Sequence, residues 1–264
     1  MIVTPVDGAI RVVMQVDHQQ QCGLLADAWG NADFARPEPW DAVATAIAWH
    51  DEGWRGWEQA PGVQPGGQPA GFTELALDEH VAIHRASADA AAAQGDRVAL
   101  LVGMHGVGLV MRRMGLDGPI PPLAERPPPV RQLMCDWARA ARVHRGVIGE
   151  GRAVAEWSWS AYRILQAIDL LSLYLTWRGL ASGERWTLPR VPRVPGDEAG
   201  AAITVTPVDR VTCALDPWPF AGDRVEAPVA SRIIDDRAYP DPAALADALA
   251  TASRRVVPLA VVPA

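Results

Sequence analysis

The sequence contains no lysine, and all 24 of its basic residues are arginine. This absence excludes catalysis through a lysine Schiff base and phosphate binding by a P-loop lysine. The net charge of −7 is distributed without any basic run. Such a chain is a poor candidate for binding nucleic acid or an anionic membrane, because that binding depends on clustered positive charge. We therefore expect a small-molecule partner, and a homodimer is left open.

Cysteine and long apolar runs are also scarce. Cys22, Cys135 and Cys213 are odd in number and far apart, so they indicate neither a disulfide framework nor a thiolate metal site. The longest apolar segments, 99–111 and 164–175, are too short to span a bilayer. The opening residues, MIVTPVDG, lack a basic region followed by an apolar stretch. A cytoplasmic protein is the expectation.

What the sequence does contain is ample apolar material and many helical patterns. Its 264 residues are 49% hydrophobic, enough for one large or two small domains with a buried core. The pattern from Ile10 to Val16 predicts a strand, and Asp17 then resembles the N-cap of a helix. The predicted helices cover 17–29, a segment that starts near Pro39 and ends near the pair His50-Asp51, and then 77–93, 97–114, 130–147 and 153–180. The runs PGVQPGGQPAG and PIPPLAERPPP predict loops.

The texture changes after the proline-rich connector LPRVPRVPGDEAG. Short β-type runs follow, namely AITVTP, DRVTCALD, VASRIID and RRVVPLAVV, with one helix at about 242–253. The predicted fold class is therefore mainly α, with a small C-terminal β-rich (α+β) subdomain that the N-terminal strand joins. The predicted boundaries are 1–16 for that strand, 17–186 for the helical metal-binding domain and 187–264 for the subdomain. The subdomain contains no histidine, so we expect no metal ligand there, including Asp209, Asp216 and Asp235.

Two strongly polar residues are isolated within apolar helical segments. His105 lies in ALLVGMHGVGLVM and Asp169 lies in RILQAIDLLSLYL. Burying an ionised carboxylate without a partner costs several kcal/mol at least, so Asp169 needs a cation, a metal or a proton. An arginine partner is the structural alternative. The glycines beside His105 each cost about 1 kcal/mol within a helix, which predicts close approach of another element.

The other ligand-type residues fall on separate predicted helices. His18 opens the first helix, and His50-Asp51 stands at the end of the second. His80 and His84 are four residues apart and share a helix face, although this spacing is a weak metal signal by itself. His144 lies between arginines and is expected to be exposed and silent. Imidazole and carboxylate side chains from facing helices are how helical proteins build iron, manganese or zinc sites.

The ordered residues His18, His50-Asp51 and Asp169 resemble the H…HD…D pattern of the HD superfamily of metal-dependent enzymes. This resemblance implies an HD-type helical bundle with these four residues as ligands. The additional histidines resemble the dinuclear branch, which implies two divalent or mixed-valent transition metals, with iron favoured over manganese or zinc. His105 fits the second ion, and His80 is favoured over His84 as its other ligand because of its spacing from His105. A carboxylate at Asp51 would bridge both ions.

A narrower resemblance spans nearly the whole chain. The motifs LADAWGN, HDEGWRGWE, LLVGMHGVGL and DPWPF are similar to a family of bacterial proteins of unknown function related to HD enzymes. Many HD phosphohydrolases carry a lysine shortly after the HD pair. Here Gly53, Trp54 and Arg55 occupy that region, so only Arg55 could replace the lysine electrostatically.

Three functions follow from the resemblance and the residues. The first is hydrolysis of a small phosphate ester by a metal-bridging hydroxide, with Asp51, His84 and Arg55 as catalytic residues. Its substrate contacts would be Arg55, Arg85, Trp54 and Glu58. The second is a mixed-valent diiron oxygenase that cleaves a carbon bond with dioxygen. The third is a catalytically silent binding module.

Overall fold

The computed structural model describes residues 1–111 and 122–264. The predicted helical residues 112–114 and the first part of PIPPLAERPPP lie outside this range. The described helices follow the predicted ones closely. They are α1 (Gln15–Ala28), α2 (Trp40–Trp49), α3 (Trp54–Trp57), α4 (Leu77–Ala92), α5 (Asp96–Val110), α6 (Pro128–Ile148), α7 (Arg152–Thr176), α8 (Gly179–Ser182) and α9 (Pro242–Thr251). None of these helices is long and apolar enough to cross a membrane.

The strands form two separate sheets. They are β1 (Ile2–Val6), β2 (Ala9–Val13), β3 (Trp186–Val191), β4 (Ala201–Pro207), β5 (Thr212–Asp216), β6 (Val225–Glu226), β7 (Val229–Asp235), β8 (Arg254–Val257) and β9 (Ala260–Pro263). The first sheet is antiparallel with the order β1-β2-β7-β8, so the N-terminal segment does pair with the C-terminal one. The second sheet has the order β3-β4-β5-β9-β6, with β5 and β9 parallel.

The prediction of a mainly α, HD-type bundle is wrong for the chain as a whole. The fold is α+β, with about 48% helix and nine described strands in two sheets. The first sheet was underestimated because the N-terminal segment is a hairpin rather than one strand, turning at Asp7 and Gly8 with positive φ at both. In the second sheet, β3 contains a proline, and its last four residues, 188–191, belong to the predicted connector LPRVPRVPGDEAG. Strands of two to seven residues leave little periodicity to detect.

Four helices, α1, α2, α5 and α7, carry His18, His50, His105 and Asp169. Helix α1 packs against α2 and α7, and α5 packs against α2, α4, α6 and α7. Helix α1 is also held to the first sheet by its buried Asp17, which accepts a hydrogen bond from Arg254 at 2.7 Å and lies 3.5 Å from Arg232. Asp17 is thus inside α1, since Met14 is the N-cap. The arrangement fixes α1 between the helical core and the sheet.

The glycines of α5 permit the close packing that the sequence predicts. A Cβ placed on Gly106 would lie 2.9 Å from the Cβ of His84 on α4. A Cβ on Gly108 would lie 1.8 Å from the hydroxyl oxygen of Tyr162 on α7. Both distances are too short for real contacts. The two glycines therefore let α4 and α7 approach the helix that carries His105.

Gly108→Ala is expected to lower the free energy of unfolding by about 1–3 kcal/mol, because Tyr162 must move to admit the methyl group. Gly146→Ala on α6 is the matched control, since a Cβ there meets no atom within 4 Å. The control is expected to gain up to about 1 kcal/mol from helix propensity. Urea unfolding of both variants provides the comparison. Equal effects of the two substitutions would contradict the close packing of α5 on α7.

Candidate metal centre

Five of the predicted ligand residues meet in the interior of the helical region. His18 lies on α1, His50 caps the C-terminus of α2 with Asp51 directly after it, His105 lies on α5, and Asp169 lies on α7. Each side chain is buried, with at most 5% of the residue exposed. The His50 and His105 rings have centroids 4.9 Å apart, and those of His18 and His50 are 5.6 Å apart.

The carboxylate of Asp169 occupies the middle of this group. Its Oδ1 lies 3.0 Å from Nε2 of His18 and 3.8 Å from Nε2 of His50. Its Oδ2 lies 4.0 Å from Nε2 of His105. No arginine takes part in these contacts, so the structural alternative of a buried arginine partner for Asp169 finds no support among the described residues. Asp51 approaches from the other side, with Oδ2 3.5 Å from Nε2 of His50.

A chain of hydrogen bonds determines which nitrogen of His18 carries a proton. The amide of Gln21 donates to the carbonyl of Ala227 at 2.5 Å, which leaves its Oε1 to accept a hydrogen bond from Ser172, also at 2.5 Å. The hydroxyl of Ser172 has thus used its proton, and it accepts one from Nδ1 of His18 at 2.7 Å. In a neutral ring Nε2 is then a bare lone pair, and this lone pair faces Asp169.

His50 is fixed in the same tautomer. Its Nδ1 donates to the carbonyl of Ile47 at 2.6 Å, and its buried Nε2 has no hydrogen-bond partner among the described residues. Ring nitrogens oriented by a hydrogen bond on the opposite nitrogen are typical of metal-binding histidines. Each bare Nε2 lone pair would repel the carboxylate oxygen that it faces unless a cation lies between them. The donor set therefore fits a transition-metal ion, and His50, Asp51 and His105 form one group whose ligand atoms lie within 4.8 Å of one another.

The electrostatics of the group agree with a site built for positive charge. Burial alone would raise the pKa of Asp169, but contact with His18 and the nearby His105 and His50 outweigh burial and lower that pKa to about 2. Burial raises the pKa of Asp51 and lowers the pKa of His105 well below its usual range. Uncharged imidazoles are the form that binds metals.

A cavity of roughly 350 Å³ opens onto these residues. Asp51, His105 and Asp169 form its polar side. Gln15, Thr73, His80 and His84 add further polar groups. The rest of the lining is apolar or aromatic and consists of Trp54, Phe72, Leu109, Leu170, Leu173, Trp177 and Trp186. Trp186, on β3, is the contribution of the C-terminal strands to this lining. Among the described residues no metal-binding group includes a side chain from those strands. The second sheet thus contributes one wall residue to the cavity, and its role as a scaffold or lid stays a prediction.

His80 and His84 both line the cavity but differ in their surroundings. His80 is half-buried, and its Nε2 lies 2.6 Å from the carbonyl of Phe72, to which it donates. His84 is 3% exposed, and neither of its ring nitrogens has a hydrogen-bond partner among the described residues. Its ring centroid lies 6.4 Å from that of His105. Burial and the neighbouring His80 and His50 lower the pKa of His84 to about 3. Of the two residues, His84 is the one left with both nitrogens available.

The other predicted site residues have structural partners. Arg55 is exposed and bonded to Glu52, and Arg85 donates to Asp136 at 2.9 Å. Neither arginine lines the cavity. Glu58 accepts the backbone N–H of Gln15 at 2.5 Å, so it serves the first turn of α1. Trp54 is buried, with its ring centroid 5.8 Å from that of His80. The predicted roles of these residues in substrate binding stay predictions.

One residue near the centre was not selected from the sequence. Sγ of Cys22 lies 3.8 Å from Nε2 of His18, and Cys22, His18 and His50 form a second group that could hold a metal ion. Cys22 follows His18 by four residues, which places both on one face of α1. That spacing is the signal that could have identified it. His144 lies apart, and its Nδ1 is 2.8 Å from the carboxylate of Asp96.

Ser172→Ala is expected to weaken metal binding by about 10- to 100-fold, because His18 loses the acceptor that fixes its tautomer. Ser158→Ala is the matched control on the same helix, since the Ser158 hydroxyl donates only to the carbonyl of Ala155. Competition with a metal-binding dye measures both affinities. Unchanged affinity in Ser172→Ala would show that His18 is not a ligand held in this way.

Comparison with known families assigns the chain to one family. Residues 1–236 match a family described as "Protein of unknown function (DUF3891)". Because this match covers most of the sequence, the chain belongs to that family. No curated protein and no solved structure gave a match. The family assignment thus agrees with the narrower resemblance, whereas membership of the HD superfamily stays a prediction.

Proposed function

We propose that this chain is a metal-dependent enzyme of the HD type that acts on a small molecule at a centre of two transition-metal ions. The observation that carries the proposal is the pair of bare Nε2 atoms on His18 and His50, which the protein orients toward buried carboxylates. The order of these residues along the chain, H…HD…D, supports the HD type.

The donor set divides naturally between two ions. His18, His50 and Asp169 would hold the first ion, and His105 would hold the second with His80 or His84. Asp51 would contact both, since it belongs to one group with His50 and His105 whose ligand atoms lie within 4.8 Å of one another. Nitrogen-rich ligand sets with a few carboxylates suit iron, manganese and zinc. Iron is favoured by the resemblance.

The first candidate reaction is hydrolysis of a phosphate ester whose organic group is apolar. When bound, the ions would supply Lewis acidity, which neutralises phosphoryl oxygens and lowers the pKa of water. The protein supplies a water-poor cavity, whose tryptophan and leucine side chains would enclose the organic group. Trp54 packs beside His80 and would help to orient the substrate. Arg55 would have to leave Glu52 in order to contact the phosphate.

The second candidate reaction is oxidative cleavage of a carbon bond with dioxygen at a mixed-valent diiron centre. Two observations favour it. The cavity lining is mainly apolar, and the two arginines predicted to contact phosphate are both engaged by carboxylates outside it. Such a lining would enclose an apolar organic substrate that carries no phosphate.

Metal analysis of anaerobically purified protein tests the proposal and separates the two reactions. Two irons per chain with a mixed-valent signal in electron paramagnetic resonance would support the oxygenase. Two ions of manganese, zinc or cobalt with phosphatase activity on a panel of small phosphate esters would support the hydrolase. Protein that binds no transition metal would refute both reactions. Bound metal without turnover of any substrate would favour a silent binding module.

A further inference from the structure

A second cavity lies on the far side of His84 from the metal centre. Its volume is roughly 290 Å³, and it is enclosed by α4, α5 and α6. Its walls are formed mainly by small or apolar side chains, including Ala88, Ala99, Gly103, Val107, Leu133 and Trp137. Charged residues, among them Arg85 and Asp136, complete the lining and satisfy each other at 2.9 Å. The cavity is thus a mainly apolar chamber in which Arg85 and Asp136 pair with each other, while Asp89, which also lines it, is exposed.

His84 lies between this chamber and the cavity at the metal centre. It lines both cavities, and it is 3% exposed with neither ring nitrogen hydrogen-bonded to any described residue. Leaving a buried polar group unpaired costs about 1–3 kcal/mol. A buried, unpaired side chain that lines two cavities is therefore a candidate for contact with a ligand. It indicates that a group absent from the protein itself completes its contacts.

The chamber also contains an unused donor. Nε1 of Trp137 has no hydrogen-bond partner among the described residues, and it lies beside Gly103, where a Cβ would come within 2.9 Å of it. Without a side chain at Gly103, the indole edge packs directly against the backbone of α5. An apolar group matches the rest of the lining, because ligand cavities combine apolar walls with a few polar groups that fix orientation.

We propose that the second cavity binds an aromatic or short alkyl group of the substrate, while the polar end of the same molecule lies beyond His84 at the metal centre. This inference deepens the proposed function and rests on it, since it names the substrate class as a molecule with a metal-binding anionic end and an apolar end. His84 then contacts the molecule between its two ends.

Ala88→Leu tests the inference by filling the chamber. Ala88 lies one turn after His84 on α4 and is half-buried, so the larger side chain can extend into the cavity. Ala153→Leu is the matched control, because Ala153 is exposed and lines a different cavity beside Trp157. Calorimetric titration of the metal-loaded full chain uses five probes: toluene, methylphosphonate, phenylphosphonate, benzylphosphonate and 2-phenylethylphosphonate.

Toluene is expected to bind the unmodified protein and Ala153→Leu, and to bind Ala88→Leu at least about 10-fold more weakly. At least one phenylalkylphosphonate is expected to bind about 10- to 100-fold more tightly than methylphosphonate, the gain for burying a ring. Ala88→Leu is expected to lose that gain while methylphosphonate binding stays the same.

The outcomes separate the two proposals. Failure of toluene to bind, or an equal phosphonate gain in Ala88→Leu and Ala153→Leu, would overturn the second cavity as a site for the apolar group. Toluene binding without any binding of methylphosphonate would leave the apolar site supported and would count against the phosphate-ester reaction.

Discussion

Replacing Asp51 by alanine is expected to remove both ions from the purified protein and to abolish turnover. The centre is built mainly from neutral imidazoles, so two ions would leave an excess of positive charge in a low-dielectric interior. Asp169 alone cannot balance that charge. Asp51 is positioned to share it. Its ligand atom lies within 4.8 Å of those of His50 and His105, and its carboxylate accepts a hydrogen bond from the side-chain amide of Gln15 at 3.2 Å. Metal per chain, measured by mass spectrometry, reports the result.

Other variants at the centre are expected to lose less metal. His105→Ala should weaken only the second ion and His18→Ala only the first. The parallel variants His80→Ala and His84→Ala determine which of these two completes the second set. Glu52→Ala is the control for Asp51→Ala, since this neighbouring carboxylate bonds instead to Arg55 and Gln19. Two tightly held ions in Asp51→Ala would mean that the carboxylate only ends a helix at the edge of the cavity.

The convergence of the polar side chains was easier to predict from the sequence than the sheets were. His105 and Asp169 stand alone in apolar helices, and burial of such groups is costly enough to demand a partner. The long helices carry a strong periodicity, and their predicted bounds agree with the observed ones to within a few residues for α4, α6 and α9. Each isolated polar residue could therefore be assigned to a helix, and in the structure these helices bring the residues together around Asp169.

The sheets were predicted only in part, since the runs AITVTP, DRVTCALD, VASRIID and RRVVPLAVV fall on β4, β5, β7 and β8–β9, whereas β3 and the β1–β2 hairpin were not identified. β3 lies in a proline-containing segment that resembles a connector, and its pairing with β4 is set by a partner ten or more residues away. The hairpin of β1 and β2 depends on β7, more than 200 residues later in the chain. Pairing of this kind is a tertiary property, and a local pattern cannot reveal it. The mainly α interpretation failed at these contacts.

Tertiary contacts that the sequence does not reveal also explain which partners of the site residues were missed. Sequence spacing favoured His80 over His84, but the carbonyl of Phe72, eight residues before His80, takes up one nitrogen of His80. Arg55 and Arg85 looked free for phosphate, yet each finds a carboxylate, one of them on α6. The nearness of Cys22 to His50 arises only when α1 packs on α2. Polar residues on a helix face were predictable, whereas their partners were not.

Two physical explanations account for a His18–Asp169 distance of 3.0 Å. In one, His18 is protonated and the pair is a buried salt bridge. In the other, the pair shares a metal ion, which binds the Nε2 lone pair that is left free when Nδ1 donates to Ser172. The second explanation has a large thermodynamic consequence, since an ion that binds only the folded chain stabilises it. At a metal concentration 1,000 times the dissociation constant, the expected gain is about 4.1 kcal/mol.

Added metal is therefore expected to raise the melting temperature of metal-free protein by roughly 10 °C, given about 2–4 °C for each kcal/mol in a chain of this size. Asp169→Asn should abolish this rise, because the amide keeps the shape of the side chain and loses its charge. Asp96→Asn is the control, since Asp96 forms the other His–Asp contact, with His144, away from the cavity. Differential scanning calorimetry with and without metal compares the three proteins. A salt bridge alone would give no rise with metal, and Asp169→Asn would then melt at a lower temperature than the unmodified chain under both conditions.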